Sequence, residues 1–262
     1  MQVKSVLITG ASSGIGRALA LAYAQPGIFL SLTGRDRERL AGTASVARAQ
    51  GAVVAAKPLD VRDQRAMAQW ITDEDERHPI DLVIANAGIT TGLRSGQIAE
   101  DPAAVRAILA INLIGVLNTV EPLIAPMCAR GRGKIAFIGS IAGIRGLPYA
   151  PAYCATKAAV HAYSESLRGR LAASGVEVSL VIPGFVTTPL NDSIAAIKPL
   201  EISDAKAAAI IRRGLDKGKS VVAFPKPLYL FAALARVLPD WVVDKVLANI
   251  EVSIPQTAER ND

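Results

Sequence analysis

The chain has 262 residues, 51% of them hydrophobic, and its 29 basic and 23 acidic residues leave a net charge of +6. That apolar content can build a large core and excludes a disordered chain. The basic residues are scattered, as in Arg35-Asp36-Arg37-Glu38-Arg39, with no basic block carrying aromatics, which argues against nucleic acid as a partner. Two cysteines, Cys128 and Cys154, exclude a disulfide framework, and His78 and His161 are too few and too far apart for a metal triad, so no metal is expected.

Met1-Gln2 runs directly into an apolar run, so no leader peptide is expected. The first strand is predicted over 3–9 (Val3 to Thr9). Gly10-Ala-Ser12-Ser13-Gly14-Ile15-Gly16 follows at once, and a helix-forming stretch from Arg17 to Tyr23 comes next. A glycine-rich turn between strand and helix lets a backbone approach a pyrophosphate, and the helix N-terminus offers free N–H groups. The other reading is a tight turn that binds nothing.

A second strand near 28–33 ends in Leu32-Thr33-Gly34-Arg35-Asp36. An acid at the Gly34 position would bind ribose hydroxyls; glycine removes it, and the Arg35 guanidinium that follows suits a 2′-phosphate. Asp36 is read as a helix cap, leaving Arg35 to face a cofactor. Asp60-Val61 follows a third strand near 52–57, and Asp60 is equally readable as a helix cap or a ligand group. A fourth strand near 81–85 runs into Asn86-Ala87-Gly88. The stretch 103–127 is predicted as the longest helix, bent or ended by Pro122 and Pro126.

A fifth strand near 134–139 ends at Ser140. Thirteen residues later comes Tyr153-Cys-Ala-Thr-Lys157. Positions i and i+4 share a helix face, so a phenol and an ammonium stand side by side. A free tyrosine, with a pKa of about 10, is a poor base at neutral pH. A neighbouring cation favours the phenolate and is expected to pull that pKa down, so that Tyr153 can exchange a proton with an alcohol or carbonyl oxygen. Ser140 is placed to bond the same oxygen. Cys154 is read as packing. The last two strands are predicted near 177–182 and 220–223, with Pro183-Gly184, Val186, Thr187 and Thr188 after the first.

Strands and helices alternate without a linker, which argues for a parallel sheet covered on both faces. No apolar stretch is read as reaching the length of a membrane helix, so a cytoplasmic location is expected. Residues 225–250 are rich in large apolar side chains and broken by Pro239. They are expected to pack over the substrate cleft or the sheet edge; a subunit interface or contact with a membrane surface are the two lesser readings. The last fifteen residues turn polar and are expected to lack order.

Taken together, the motifs resemble the short-chain dehydrogenase/reductase family over residues 3 to about 190. Thr9-Gly10-x-x-x-Gly14-Ile15-Gly16, Asn86-Ala87-Gly88, Asn112, Ser140, Tyr153 with Lys157, and Pro183-Gly184 with Thr187 or Thr188 stand in the family's order. Ala85 replaces a frequent first asparagine before Asn86, a minor departure. The resemblance implies a three-layer Rossmann fold: a doubly wound parallel sheet of seven strands with helices on both faces, in one domain over 1–262. It implies a catalytic tetrad of Asn112, Ser140, Tyr153 and Lys157.

The cofactor site it implies comprises Gly10, Ser12, Ser13, Gly14, Ile15, Gly16, Arg35, Asp60, Val61, Asn86, Ala87, Gly88, Tyr153, Lys157, Pro183, Gly184, Val186, Thr187 and Thr188. In it Asp60 bonds the adenine amino group, Lys157 bonds the nicotinamide ribose, Asn112 supports a water relay, and Thr187 or Thr188 binds the carboxamide. The expected cofactor is NADP(H), with NAD(H) as the alternative, and the expected partner a small carbonyl or alcohol, most simply a lipophilic one. Walls at 90–92, 141–149 and a lid near 187–202 are expected around it. The family's usual assembly implies a homodimer or homotetramer through the outer faces of 103–126 and 152–173, with Ala107, Leu109, Leu113, Val116, Val120, Ala158, Ala162 and Leu171 as contact candidates. A silent dinucleotide-binding scaffold, or an epimerase or dehydratase of the same fold, are the rival readings.

Overall fold

The computed structural model of the protein describes residues 3–94, 96–192, 194–247 and Ile254. The chain begins β1 (Ser5–Thr9), α1 (Gly14–Tyr23), β2 (Phe29–Gly34), α2 (Arg37–Ala49), β3 (Val53–Pro58), α3 (Gln64–Arg77) and β4 (Leu82–Ala85). It continues with α4 (Pro102–Leu109), a π-helical turn (Ala110–Ile114), α5 (Gly115–Arg130), β5 (Gly133–Ile138), a 3₁₀ turn (Ile141–Gly143) and α6 (Pro151–Leu171). Then come β6 (Val176–Pro183), β7 (Val186–Thr187), α7 (Pro189–Asp192), β8 (Ile202–Ser203), α8 (Asp204–Asp216), β9 (Val221–Phe224), α9 (Lys226–Ala235) and α10 (Asp240–Leu247).

Seven strands form one sheet in the order β3-β2-β1-β4-β5-β6-β9, and every pairing is parallel. The order reverses between β1 and β4, which places the open crevice of a doubly wound sheet at their C-terminal ends. Alternate strand residues feed two cores. Val6, Ile8, Leu82, Ile84, Ala136 and Ile138 pack beneath α1, α2 and α8. Leu7, Val83, Ala85, Ile135 and Phe137 pack beneath α3, α5 and α6. The central strands are buried on both faces and read as mostly apolar runs for that reason. The edge strand β3 is not: Val53 is 61% exposed.

Helix starts follow their caps. Asp36 accepts from the Arg39 N–H at the head of α2, Asp63 from Ala66 at α3, Asp101 from Ala103 at α4 and Ser203 from Lys206 at α8. Asp60 is therefore not the cap of α3.

Of the two outcomes expected for Pro122 and Pro126, a bend or an end, they do not end the long helix: it runs through both to Arg130 and stops at Gly131, whose φ of 64° is left-handed. Val116, Val120, Leu123 and Met127 form a fully buried stripe along it. Their burial is worth about 6–12 kcal/mol in all, enough to carry prolines that cost about 3 kcal/mol each. Pro102–Arg130 is also long and apolar enough to span a membrane, contrary to the sequence reading, but half of its apolar 18-residue window is buried inside the fold.

The same stripe corrects the expected interface. Val116, Val120 and Leu171 belong to the core, while Ala158 and Ala162 are exposed on α6 and Leu109 is exposed on α4.

Candidate active site

The crevice is built first by glycine. Gly10 adopts a φ of 68°, and a Cβ there would stand 2.8 Å from Asn86 Nδ2 and 2.9 Å from Ala87 Cα. At Gly16 a Cβ would overlap the Gly10 carbonyl oxygen and lie 2.5 Å from Asn86 Nδ2. The turn is thus pressed against the end of β4. Asn86 Nδ2 donates to the carbonyls of Thr9 (2.9 Å) and Gly10 (3.3 Å), and Thr9 Oγ1 accepts from Asn86 N (3.1 Å) and Ala87 N (3.2 Å). Asn86 therefore braces the glycine turn across the switch point. Ser13 heads α1 without a side-chain cap, so the helix's first N–H groups face the crevice unsatisfied by the chain's own side chains. A backbone cradle without room for a Cβ at Gly10 or Gly16, backed by a helix N-terminus, fits a pyrophosphate.

At the far end of the cradle, a Cβ on Gly34 would approach Ser12 Oγ at 3.0 Å, so Ser12, Gly34 and exposed Arg35 lie together. Asp36 caps α2, as expected, and Arg35 is left at the surface. The Asp60 carboxylate is held by Arg62, through Nε at 2.9 Å and Nη2 at 2.6 Å, and by the Arg62 N–H at 2.9 Å. Burial opposes its ionisation, but the Arg62 bonds and the charges of Arg62 and Arg35 outweigh that and lower its pKa. Val61 is buried, and its carbonyl accepts from Asn118 Nδ2 at 2.8 Å.

Asn112 lies in the π-helical turn, fully buried. Its Oδ1 accepts from Ile89 N (2.8 Å) and its Nδ2 donates to Ile89 O (2.9 Å) and Thr156 Oγ1 (3.4 Å). The side chain thereby braces the loop after Gly88.

Ser140, just beyond β5, accepts from Ala142 N at 3.1 Å, and its side chain lies near enough to the Tyr153 hydroxyl to favour the phenolate. Lys157 is buried one turn along α6; its Nζ lies 5.8 Å from the centre of the Tyr153 ring and donates to the Ile138 carbonyl at 2.9 Å. Burial alone lowers the Lys157 pKa to about 8. The expected depression of Tyr153 is not what this geometry produces. Burial pushes the phenol's pKa up, and Ser140 only partly opposes it. The ammonium is turned to a main-chain carbonyl, so the phenol lacks the close cation that the i,i+4 spacing promised.

Thr188 lies against the glycine turn, with its methyl 3.1 Å from the place of a Gly14 Cβ. Thr187 Oγ1 instead faces the Ile202 carbonyl at 3.4 Å, where β7 pairs with β8. Val186 is buried, and Gly184 N donates to Phe224 O at 2.8 Å. The segment expected as a lid thus leaves and returns at one short ladder.

The apolar tail returns over the same end of the sheet. Leu228 of α9 and Ile141 would both lie within about 3.1 Å of a Cβ on Gly184, and Arg145 Nη2 donates to Asp240 of α10 at 2.8 Å. Between the tail and α6 lies a cavity of about 530 Å³ whose lining includes Ala142, Leu147, Cys154, Ala158, Arg236 and Asp244 but neither Ser140 nor Tyr153. Residues 248–250 of the expected extension lie outside the described residues. So does most of the polar end, but Ile254 does not: it is 3% exposed, donates from its N–H to Leu93 O at 3.1 Å, and joins the apolar cluster that holds Tyr149 and Tyr153. Two neighbours of the site were not legible as such. His161 accepts from Ser140 N at 3.3 Å, and its position at i+4 from Lys157 was the available clue; Ile254 offered none.

A family model for the short chain dehydrogenases matches residues 4–198. The chain belongs to that family. It is an NAD(P)-dependent short-chain dehydrogenase/reductase. An uncharacterized oxidoreductase of Myxococcus xanthus is 34% identical over 245 residues, covering 93% of this chain and 96% of its own. A short-chain dehydrogenase from Sphingobium yanoikuyae, solved with NADPH, superposes with a TM-score of 0.78 at 25% identity over 99% of both chains. A 3-oxoacyl-[acyl-carrier protein] reductase from Brucella melitensis, solved with NAD, does so at 0.72 and 26% identity over 84% of this chain and 89% of its own. A nicotinamide dinucleotide is the cofactor class that the two solved structures hold.

Proposed function

We propose that this short-chain dehydrogenase/reductase uses NADP(H) to interconvert a carbonyl and a secondary alcohol on a lipophilic small molecule, with Tyr153 as acid and base. The observation that carries the reading is the grouping of Ser140, Tyr153 and Lys157, with Lys157 Nζ 5.8 Å from the Tyr153 ring centre, and the glycine cradle across the crevice.

When bound, the nicotinamide supplies or accepts the hydride. The chain's own residues do the rest. Ser140 holds the substrate oxygen beside the Tyr153 hydroxyl. The raised pKa keeps the phenol protonated, the form that gives a proton to a carbonyl oxygen as it is reduced. Lys157, with a pKa of about 8, remains mostly cationic at neutral pH and can stabilise the phenolate left behind. To reach a ribose it must turn from Ile138. Asn112 keeps the loop after Gly88 in place, and Thr188, beside the glycine turn, would bind the carboxamide.

NADP(H) is preferred over NAD(H) on the ground that Arg35 is exposed beside Ser12 and that glycine occupies the position of the ribose-binding acid. Asp60, already paired with Arg62, would offer its remaining lone pairs to the adenine amino group. Walls from Thr91, Ile144, Leu147 and Tyr149, with the segment 187–202 and the tail over them, favour a lipophilic substrate. A homodimer or homotetramer through the exposed alanines of α6 and the outer face of α4, and a cytoplasmic location, complete the reading.

A panel of ketones and secondary alcohols, followed by absorbance of the reduced cofactor, tests it. Turnover on lipophilic members with NADPH or NADP is expected. Cofactor binding with no turnover on any member would refute it in favour of a silent dinucleotide-binding protein.

A further inference from the structure

We infer that His161 is a positioning residue that ties the Ser140 main chain to α6 and so sets the place of the Ser140 hydroxyl, an inference that rests on the oxidoreductase reading above. Tyr153, Lys157 and His161 follow one another at four-residue steps and share a face of α6. Lys157 Nζ donates to Ile138 O at 2.9 Å, and His161 Nε2 accepts from Ser140 N at 3.3 Å. Two rungs, two residues apart, fasten the end of β5 to the helix that carries the reacting phenol. If Lys157 turns toward a ribose it releases the first rung, and the second remains.

The ring sits in a slot that only glycine leaves open. A Cβ on Gly139 would overlap His161 Nε2, and one on Gly143 would stand 2.8 Å from Cε1 and 2.8 Å from the Lys157 carbonyl carbon. Gly139-Ser140-Ile141-Ala142-Gly143 thus places a glycine at each side of the ring, with Ser140 between them. Accepting from an N–H requires Nε2 to be unprotonated, with the ring proton on Nδ1. The surroundings enforce that form: burial, then the charges of Lys157 and Arg236, hold the pKa at about 4. A neutral imidazole in a fixed tautomer is a rigid acceptor, and the amide it holds is that of Ser140, which caps the 3₁₀ turn and whose side chain lies by the Tyr153 hydroxyl.

The test compares His161→Leu, His161→Asn and His161→Gln. The glutamine Oε1 reaches the place of Nε2, whereas the shorter asparagine does not. Loss of one hydrogen bond and a small displacement of a catalytic hydroxyl are worth about tenfold each. In the leucine and asparagine variants the Ser140 amide is expected to exchange with deuterium about tenfold faster by NMR, and kcat on the best carbonyl of the panel to fall about tenfold or more. Cofactor Kd should stay within about twofold, and glutamine should restore both readouts. Should leucine and asparagine prevent folding, Gly139→Ala displaces the ring with every polar group retained and is read the same way. Unchanged exchange and kcat in the leucine variant, or equal behaviour of glutamine and asparagine, overturns the inference. A wild type without turnover overturns the oxidoreductase reading instead, and the exchange rates still decide the tie.

Discussion

Gly16→Ala tests the cradle at its tightest point. The new Cβ overlaps the Gly10 carbonyl oxygen and stands 2.5 Å from Asn86 Nδ2. Neither neighbour is the free end of a flexible side chain, so the turn itself must open. Overpacking of this kind costs about 1–3 kcal/mol, and a weakened Asn86 brace adds about 1 kcal/mol. Position 16 lies within α1, where alanine is intrinsically better than glycine by about 1 kcal/mol. The net loss is about 1–3 kcal/mol, or a fall in Tm of about 3–10 °C for a chain of this size. Cofactor affinity should fall further, by about tenfold or more, because opening the turn moves the α1 N-terminal amides off the pyrophosphate path. Gly42→Ala is the control: it sits inside α2 with nothing within 4 Å of its Cβ and should raise stability by about 1 kcal/mol without touching affinity. Thermal unfolding and fluorescence titration of both variants decide it. A Gly16→Ala protein that binds cofactor as tightly as Gly42→Ala would refute the cradle.

Arg35→Ala should cut NADPH affinity by about ten- to a hundredfold and leave NADH nearly unchanged, read by titrating both cofactors; equal wild-type affinities would remove the proposed preference. His161 has a folded pKa of about 4 against an ordinary 6.5, so the unfolded chain binds its proton first as pH falls and the folded state loses stability through that window. About 2 kcal/mol of stability should be lost between pH 7 and pH 4.5 from this group, and urea unfolding should show that share missing in His161→Gln. Arg130→Ala leaves buried Asp75 without the guanidinium that meets it at 2.6 and 3.0 Å, and should cost about 2–3 kcal/mol in the same assay with cofactor affinity intact.

Much of this was legible because the signals are local. The runs at 5–9, 82–85 and 133–138 are apolar since both faces of a parallel sheet are covered, and the glycine turn betrays itself by spacing alone. Tyr153 and Lys157 on one face of α6 followed from helical periodicity. What periodicity cannot supply is the neighbour across the fold. It put Lys157 beside Tyr153, but the buried ammonium found the Ile138 carbonyl, and the phenol rose where a fall was expected. Asn112 was identified, yet its partner Ile89 lies on a loop 23 residues away. Val116 and Val120 looked like surplus surface because the depth of the second core was unknown. The prolines of α5 read as a bend or an end, and propensity alone does not show the buried stripe that carries the helix through them. Ile254, beside Tyr153, comes from the far end of the chain, where no local pattern announces it.

The central claim is that the Tyr153 hydroxyl moves the proton. Tyr153→Phe removes one oxygen and leaves the ring in its apolar cluster, the Lys157–Ile138 bond and the glycine turn unaltered. Steady-state turnover on the best substrate of the carbonyl panel, with cofactor Kd measured on the same preparation, tests it directly. The account predicts that kcat falls by about a thousandfold or more while Kd changes by less than about threefold. A phenylalanine variant that retains most of its turnover would contradict it.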